Sequence, residues 1–200
     1  MIKPASEQPE MEPLTRIQVL IAMGLTAMLW LIAAKIWLRT PYSGGLLPLR
    51  WHPLDLGLGV ATGGIILVAS MLVYQFWPAY RRAANYYLDL VLKPLLWPDL
   101  IWLGLLPGLS EELLFRGVVL PAMGLNWFGI GLSSFCFGVL HLSNLRHWPY
   151  VVWATLVGVL LGYSAVATGN LLVPIVAHIA TNLLSSLLWK INQTKTVSST

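Results

Sequence analysis

Residues 99–119 read DLIWLGLLPGLSEELLFRGVV, and this stretch decides the class of the protein. At 1.5 Å rise per helical residue it is long enough to cross about 30 Å of hydrocarbon, and it is almost wholly apolar. Yet Glu111, Glu112 and Arg116 sit inside it. A charged group at mid-helix costs about 2.5–3.5 kcal/mol on insertion scales, so each of the three needs a partner or water.

The rest of the chain repeats the apolar pattern. Further runs of spanning length can be drawn at 17–38, 54–77, 126–142, 149–168 and 171–189, which with 99–119 makes about six. Of the 200 residues 57% are hydrophobic and 10% charged, and the mean hydropathy is +0.72. Such a composition excludes a water-soluble domain, a disordered chain and a collagen-like repeat. The expected fold class is all-α, a polytopic transmembrane helical bundle with no separate soluble domain.

Residues 81–98 mix Arg81, Arg82, Tyr86, Tyr87 and Lys93 with leucines, and Pro94 and Pro98 break any long helix. The first reading is an interfacial helix, and the alternative is the first half of the next span. The chain thus divides into an aperiodic N-terminus (1–13), N-terminal spans with the interfacial segment (14–98), a core (99–190) and an aperiodic C-terminus (191–200). The two ends carry no apolar period and read as flexible. The first run is too long for the apolar core of a signal peptide and follows Glu7, Glu10 and Glu12, so it reads as a retained span.

The net charge is +4, but the 12 Lys and Arg lie scattered between apolar runs, so they read as topology signals and no nucleic-acid partner is expected. With the N-terminus inside, Lys3, Arg16, Arg81, Arg82, Lys93, Arg146, Lys190 and Lys195 fall on the inner side, against Lys35, Arg39 and Arg50 outside. Both termini are predicted cytoplasmic, in a bacterial plasma membrane or an internal one. Trp37, Trp51, Trp77, Trp97, Trp127, Trp148 and Trp189 fall near span ends, where indoles anchor. Gly59 with Gly63, Gly104 with Gly108, and Gly158 with Gly162 are spaced to put a small surface on one helix face, a packing signal. Cys136, the single cysteine, cannot form an internal disulfide and is expected to be a buried, inert thiol.

Three further polar residues lie in apolar runs: His141, His178 and Asn182. Glu112 and Arg116 are four apart, so the guanidinium can neutralise that carboxylate on one helix face, while Glu111 is rotated about 100° away and is left freer. His178 and Asn182 are also four apart and present two hydrogen-bonding groups to one space. His141 follows Phe137 by the same interval. A carboxylate, two imidazoles and an amide are sufficient for peptide hydrolysis without a covalent intermediate: the carboxylate deprotonates water, an imidazole helps hold it, and neutral donors stabilise the oxyanion. One tension accompanies this set. Glu111 and His178 come out about 18 Å from the cytoplasmic face, whereas His141 comes out only a few ångströms from it.

Ser110-Glu111-Glu112-Leu113-Leu114-Phe115-Arg116-Gly117 resembles the EExxxR motif, Phe137 to His141 resembles FxxxH, and His178 to Asn182 resembles HxxxN, of the CPBP intramembrane proteases, also called the CAAX protease or Abi family. The three occur in the family's order across residues 110–182, and the first two spans match nothing specific. The resemblance implies a glutamic-type intramembrane endopeptidase, related to the enzyme that trims prenylated CAAX proteins and to bacterial proteins of bacteriocin processing or self-immunity. It makes 99–190 the catalytic core and Glu111 the general base, with His141 assisting the water. His178 and Asn182 become the oxyanion site, and Glu112, Arg116 and Phe137 supporting residues. The partner it implies is a membrane-associated protein or peptide substrate.

Other chemistries are weighed on the same residues. Glu111, His141 and His178 form a three-ligand set compatible with catalytic zinc, but no HExxH is present, so no cofactor is expected and zinc stays an alternative. A non-catalytic membrane scaffold or immunity protein would keep the Glu-Glu-Arg cluster as an interhelical ion pair. His52, His147, Asp55, Asp89 and Asp99 fall at span edges and read as solvated. Nothing in the local spacing activates Ser110 or Cys136 as a nucleophile.

Overall fold

The computed structural model describes residues 14–198, with side chains as far as residue 194. The flexible segment expected at 1–13 lies outside the described residues. Among them all regular structure is helical: α1 (Arg16–Trp37), α2 (Pro53–Phe76), α3 (Pro78–Val91), α4 (Leu100–Glu112), a π-helical segment (Leu113–Val119), α5 (Leu120–Met123), α6 (Trp127–Val139), α7 (Trp148–Thr168) and α8 (Leu172–Ser198), with short 3-10 turns at Trp97–Asp99 and Leu145–His147.

Local chemistry sets the boundaries. Thr15 caps α1 through its hydroxyl and the N–H of Gln18, and the Gln18 side chain reaches back to the Thr15 N–H at 2.8 Å. Proline opens α2 and α3, where a missing N–H costs nothing. Pro78 also forces Trp77 into an extended conformation, so α2 and α3 are separated by that one residue. Asn126 caps α6 through the N–H of Gly129, and Gly169, at φ 59°, ends α7 in the left-handed region.

Among the described residues four helices are long and apolar enough to cross a membrane: Arg16–Trp37, Pro53–Phe76, Leu145–Thr168 and Leu172–Thr194. The third run, drawn at 99–119, is helical from Leu100 to Met123 but is interrupted by the π segment. The fourth, drawn at 126–142, is shorter than expected: α6 has 13 residues, about 20 Å, because the chain turns after Val139. The protein is an integral membrane helical bundle, and among the described residues four of the six expected runs are full-length helices while the other two are an interrupted helix and a short one.

Helix α8 packs along both α2 and α4, and α6 along α7. All three glycine pairs lie at these crossings: Gly59 and Gly63 meet Val176, Ala177 and Ala180, Gly104 and Gly108 meet Leu183 and Ile179, and Gly158 and Gly162 meet Ser134 and Ile130. Helix α1 rests on α4 and the π segment and leaves Ile17, Ile21, Leu25, Met28, Ile32 and Ile36 exposed, a surface suited to lipid.

Four other expectations are revised. The interfacial reading of 81–98 becomes an amphipathic helix at Pro78–Val91 followed by a turn and the Trp97–Asp99 3-10 turn. Cys136 is exposed, because α6 buries Ile130, Ser133, Ser134, Phe137 and Gly138 and turns the thiol away from that face. Asp99 stands at an edge but is 4% exposed, held by Arg16 Nε and Nη2 at 2.7 and 2.8 Å. Residues 191–198 continue α8, where an aperiodic end was expected.

Candidate active site between α4, α6, α7 and α8

The site is built on a helix whose hydrogen-bond ladder is broken twice. Pro107 lies inside α4 and has no N–H, so the Leu103 carbonyl loses its partner four residues on. The Asn182 amide of α8 approaches that carbonyl at 3.5 Å. After Glu112 the winding widens, and the Leu120 N–H reaches the Phe115 carbonyl five residues back. A π turn of this kind leaves a carbonyl to spare. Here Gly117 presents one to the Leu47 N–H, at 2.9 Å, in the extended chain between α1 and α2.

Glu112 and Arg116, both 0% exposed, make the ion pair that their spacing predicts, Nη1 to Oε1 at 2.7 Å. The same Oε1 accepts Nδ1 of His178 at 2.8 Å. Arg116 also donates Nη2 to the Gly158 carbonyl at 3.0 Å, and its guanidinium lies 4.5 Å from the centre of the Phe137 ring. A Cβ at Gly158 would stand 3.1 Å from that Nη2, so the glycine leaves room for the bond.

Glu111 is placed differently. It lines an apolar cavity of about 230 Å³ together with Val19, Met23 and Thr26 of α1, Leu90 and Val91 of α3, and Pro107 and Ser110. Its Oε2 is buried with no protein partner. Neither His141 nor His178 lines this cavity, but Arg116, His178 and Tyr150 are all within electrostatic reach of the carboxylate.

Phe137 connects the two imidazoles. Its ring centre lies 4.8 Å from that of His141, 6.2 Å from His178 and 5.3 Å from Phe115. The depth mismatch expected for His141 is therefore bridged by one aromatic ring at the end of a short α6. Nδ1 of His141 faces the Phe137 carbonyl at 2.9 Å, and a carbonyl can only accept, so Nδ1 carries the proton. Nε2 is then the acceptor in the neutral ring. The same reasoning applies to His178 against the Glu112 carboxylate.

The structure thus joins His178, Glu112, Arg116 and Phe137 in direct contact, puts His141 against Phe137, and sets Asn182, one turn along α8 from His178, against the Leu103 carbonyl of α4. Among the described residues no three of His, Cys, Asp and Glu converge as metal ligands, so Glu111, His141 and His178 are not grouped as a zinc set would be. His52 precedes α2, and Asp55 there accepts from Asn170 at 2.7 Å. His147 is not simply solvated: its ring stacks 4.3 Å from Tyr86 and its Nδ1 contacts Ser143 Oγ at 2.9 Å.

Neither Tyr87 nor Tyr150 follows from the sequence patterns, since Tyr87 is 54 residues from His141 and Tyr150, nine residues on, lies across a turn on a different helix. The Tyr87 hydroxyl donates to the His141 carbonyl at 2.6 Å, and the Tyr150 ring centre lies 6.1 Å from that of His141.

Comparison with known proteins bears on the same segment. Residues 93–184 match the family model described as Type II CAAX prenyl endopeptidase Rce1-like. The uncharacterized protein YpbD of Bacillus subtilis (strain 168) is 33% identical over 120 residues, covering 60% of this chain and 61% of that protein. The match therefore spans less than two thirds of that relative. No solved structure matches.

Proposed function

From the Rce1-like segment at 93–184, which carries all three motifs, we propose that this chain is an intramembrane endopeptidase that hydrolyses peptide bonds of membrane-associated proteins or peptides. One observation carries the reading: two adjacent carboxylates are held in opposite states. Each has one buried oxygen without a partner, but Glu112 is neutralised by Arg116 and tied to His178 through its other oxygen, whereas Glu111 has no such ion pair and stands at a cavity wall. A base needs a free lone pair beside a space that can hold water; the half-buried Glu111 lines one, and the fully buried Glu112 does not.

In this mechanism Glu111 takes a proton from water, the hydroxide adds to the peptide carbonyl carbon, and the same carboxyl returns the proton to the leaving amine as the C–N bond breaks. His141 accepts a hydrogen bond from the attacking water through Nε2. His178, held through Nδ1 by Glu112, and Asn182, whose amide becomes free by releasing the Leu103 carbonyl, form the oxyanion site. On the orientation read from the Lys and Arg count, the entry of α1, the start of α4 and the end of α8 lie on the cytoplasmic side.

The competing reading is a non-catalytic scaffold or immunity protein. It is favoured by the fact that His178 and Asn182 already have protein partners. Comparing protein N-termini in cells carrying native and Glu111→Gln versions, followed by cleavage of any candidate by purified protein, separates the two. A new N-terminus that disappears with Glu111→Gln supports hydrolysis, and identical N-terminal profiles with biological activity intact support the scaffold.

A further inference from the structure

His141 lies outside the helix that carries its motif. Helix α6 ends at Val139, and residues 140–142 close a turn in which the His141 N–H returns to Gly138 and the Leu142 N–H to Val139, both at 3.0 Å. Such a turn leaves the carbonyl of His141 with no helical donor: α6 holds the imidazole through Nδ1 and the Phe137 carbonyl at 2.9 Å, but it leaves the backbone that carries the ring unanchored on this side.

The missing donor comes from α3. The Tyr87 hydroxyl donates to the His141 carbonyl at 2.6 Å and accepts the Ser143 N–H at 3.2 Å, with Ser143 Oγ a further 2.9 Å away. The Tyr87 ring is itself packed, 4.4 Å from Tyr150 and 5.4 Å from His147. One phenol therefore pins both sides of the turn, and the rings around it hold the phenol.

We propose that Tyr87 is a positioning residue for His141: the amphipathic helix α3, which lies outside the three motifs, sets the place of the imidazole by gripping the backbone of its turn. The catalytic consequence rests on the peptidase reading given above. Tyr87 touches neither the substrate nor the reacting water. It acts by keeping Nε2 of His141 where the water must bind, and a displacement of about 1 Å is enough to cost on the order of 100-fold in rate.

The variant that isolates this role is Tyr87→Phe, which removes the hydroxyl and keeps the ring. Two measurements are made on purified protein in lipid nanodiscs. The first is the imidazole NMR spectrum of histidine-labelled protein, with the His141 signal identified by its loss in His141→Gln. We expect Tyr87→Phe to move or broaden that signal while those of His52 and His178 stay in place. An unchanged His141 signal overturns the inference, whether or not the protein cleaves anything.

The second measurement is the rate on a peptide whose cleavage depends on Glu111. We expect kcat to fall about 10- to 100-fold with KM within twofold, and Ser143→Ala, which leaves the Tyr87–carbonyl bond intact, to stay near the native rate. A full kcat in Tyr87→Phe overturns the positioning role even if the signal moves. If no Glu111-dependent cleavage exists, the peptidase reading fails, and the spectrum alone decides whether Tyr87 places His141.

Discussion

Glu112 receives both the Arg116 guanidinium and the His178 imidazole on the single oxygen Oε1, and the histidine arrives from a helix 66 residues further along the chain. That relationship links the first and third motifs physically. It also distinguishes the two glutamates, since Glu112 carries both partners and Glu111 lines a cavity instead.

Removing one partner of this cluster should be costly. Glu112→Gln leaves Arg116 charged and fully buried without its counter-ion, a situation that destabilises by about 3–5 kcal/mol. A clear drop in the unfolding midpoint in detergent is expected. Replacing Glu112 and Arg116 together by methionine should recover much of the loss, and equal instability of the single and double variants would show that the ion pair is not the cause.

The crossing of α2 and α8 gives a contrast between neighbouring glycines. A Cβ at Gly63 would stand 2.8 Å from the Ala177 carbonyl oxygen and 2.9 Å from Ala180 Cβ, whereas at Gly64 it meets nothing within 4 Å. Gly63→Ala should destabilise by about 1–3 kcal/mol through overpacking. Gly64→Ala should be neutral or stabilising by up to about 1 kcal/mol from helix propensity. Thermal unfolding of the two variants side by side tests the crossing.

At the entry of α1, the hydrogen bonds from Arg16 hold the Asp99 carboxyl at a pKa of about 2, below its ordinary 3.8. A depressed acid stabilises the fold above its unfolded pKa, and that contribution is lost as the pH falls through the folded value. The clasp should therefore contribute in full above about pH 4 and fade as the pH approaches 2. Unfolding midpoints measured against pH should show this step in the native protein and not in Asp99→Asn.

Metal dependence separates Glu111 acting on water directly from zinc held by Glu111, His141 and His178. Cleavage that survives exhaustive chelation, with no stoichiometric metal in the purified protein, is expected. Loss of activity on chelation and its return with zinc alone would reassign those three residues as ligands.

Much of this architecture could be read from the sequence because it follows from single-helix periodicity. Hydropathy located α1, α2, α7 and α8, a spacing of four placed the glycines on packing faces, and the same spacing paired Glu112 with Arg116. What spacing could not supply was the partner across a helix boundary. That His178 would meet Glu112 rather than stand free beside Asn182 depends on how α8 packs against α4, and no local pattern encodes it. Tyr87 escaped notice for the same reason, since its bond to His141 spans 54 residues. The length of α6 was overestimated because the apolar residues 140–142 belong to a turn and not to the helix. Cys136 was misplaced because apolar neighbours signal lipid as readily as core.

The π segment leaves the polypeptide with one amino acid more than regular winding needs between Glu112 and Leu120. Excising a single position there would restore an ordinary coil with the turns before and after it still in phase, at the cost of the spare carbonyl that Gly117 offers to Leu47. Shortening by a residue is thus better absorbed in this stretch than in the regular helices on either side, where it would rotate one part against the other by about 100°.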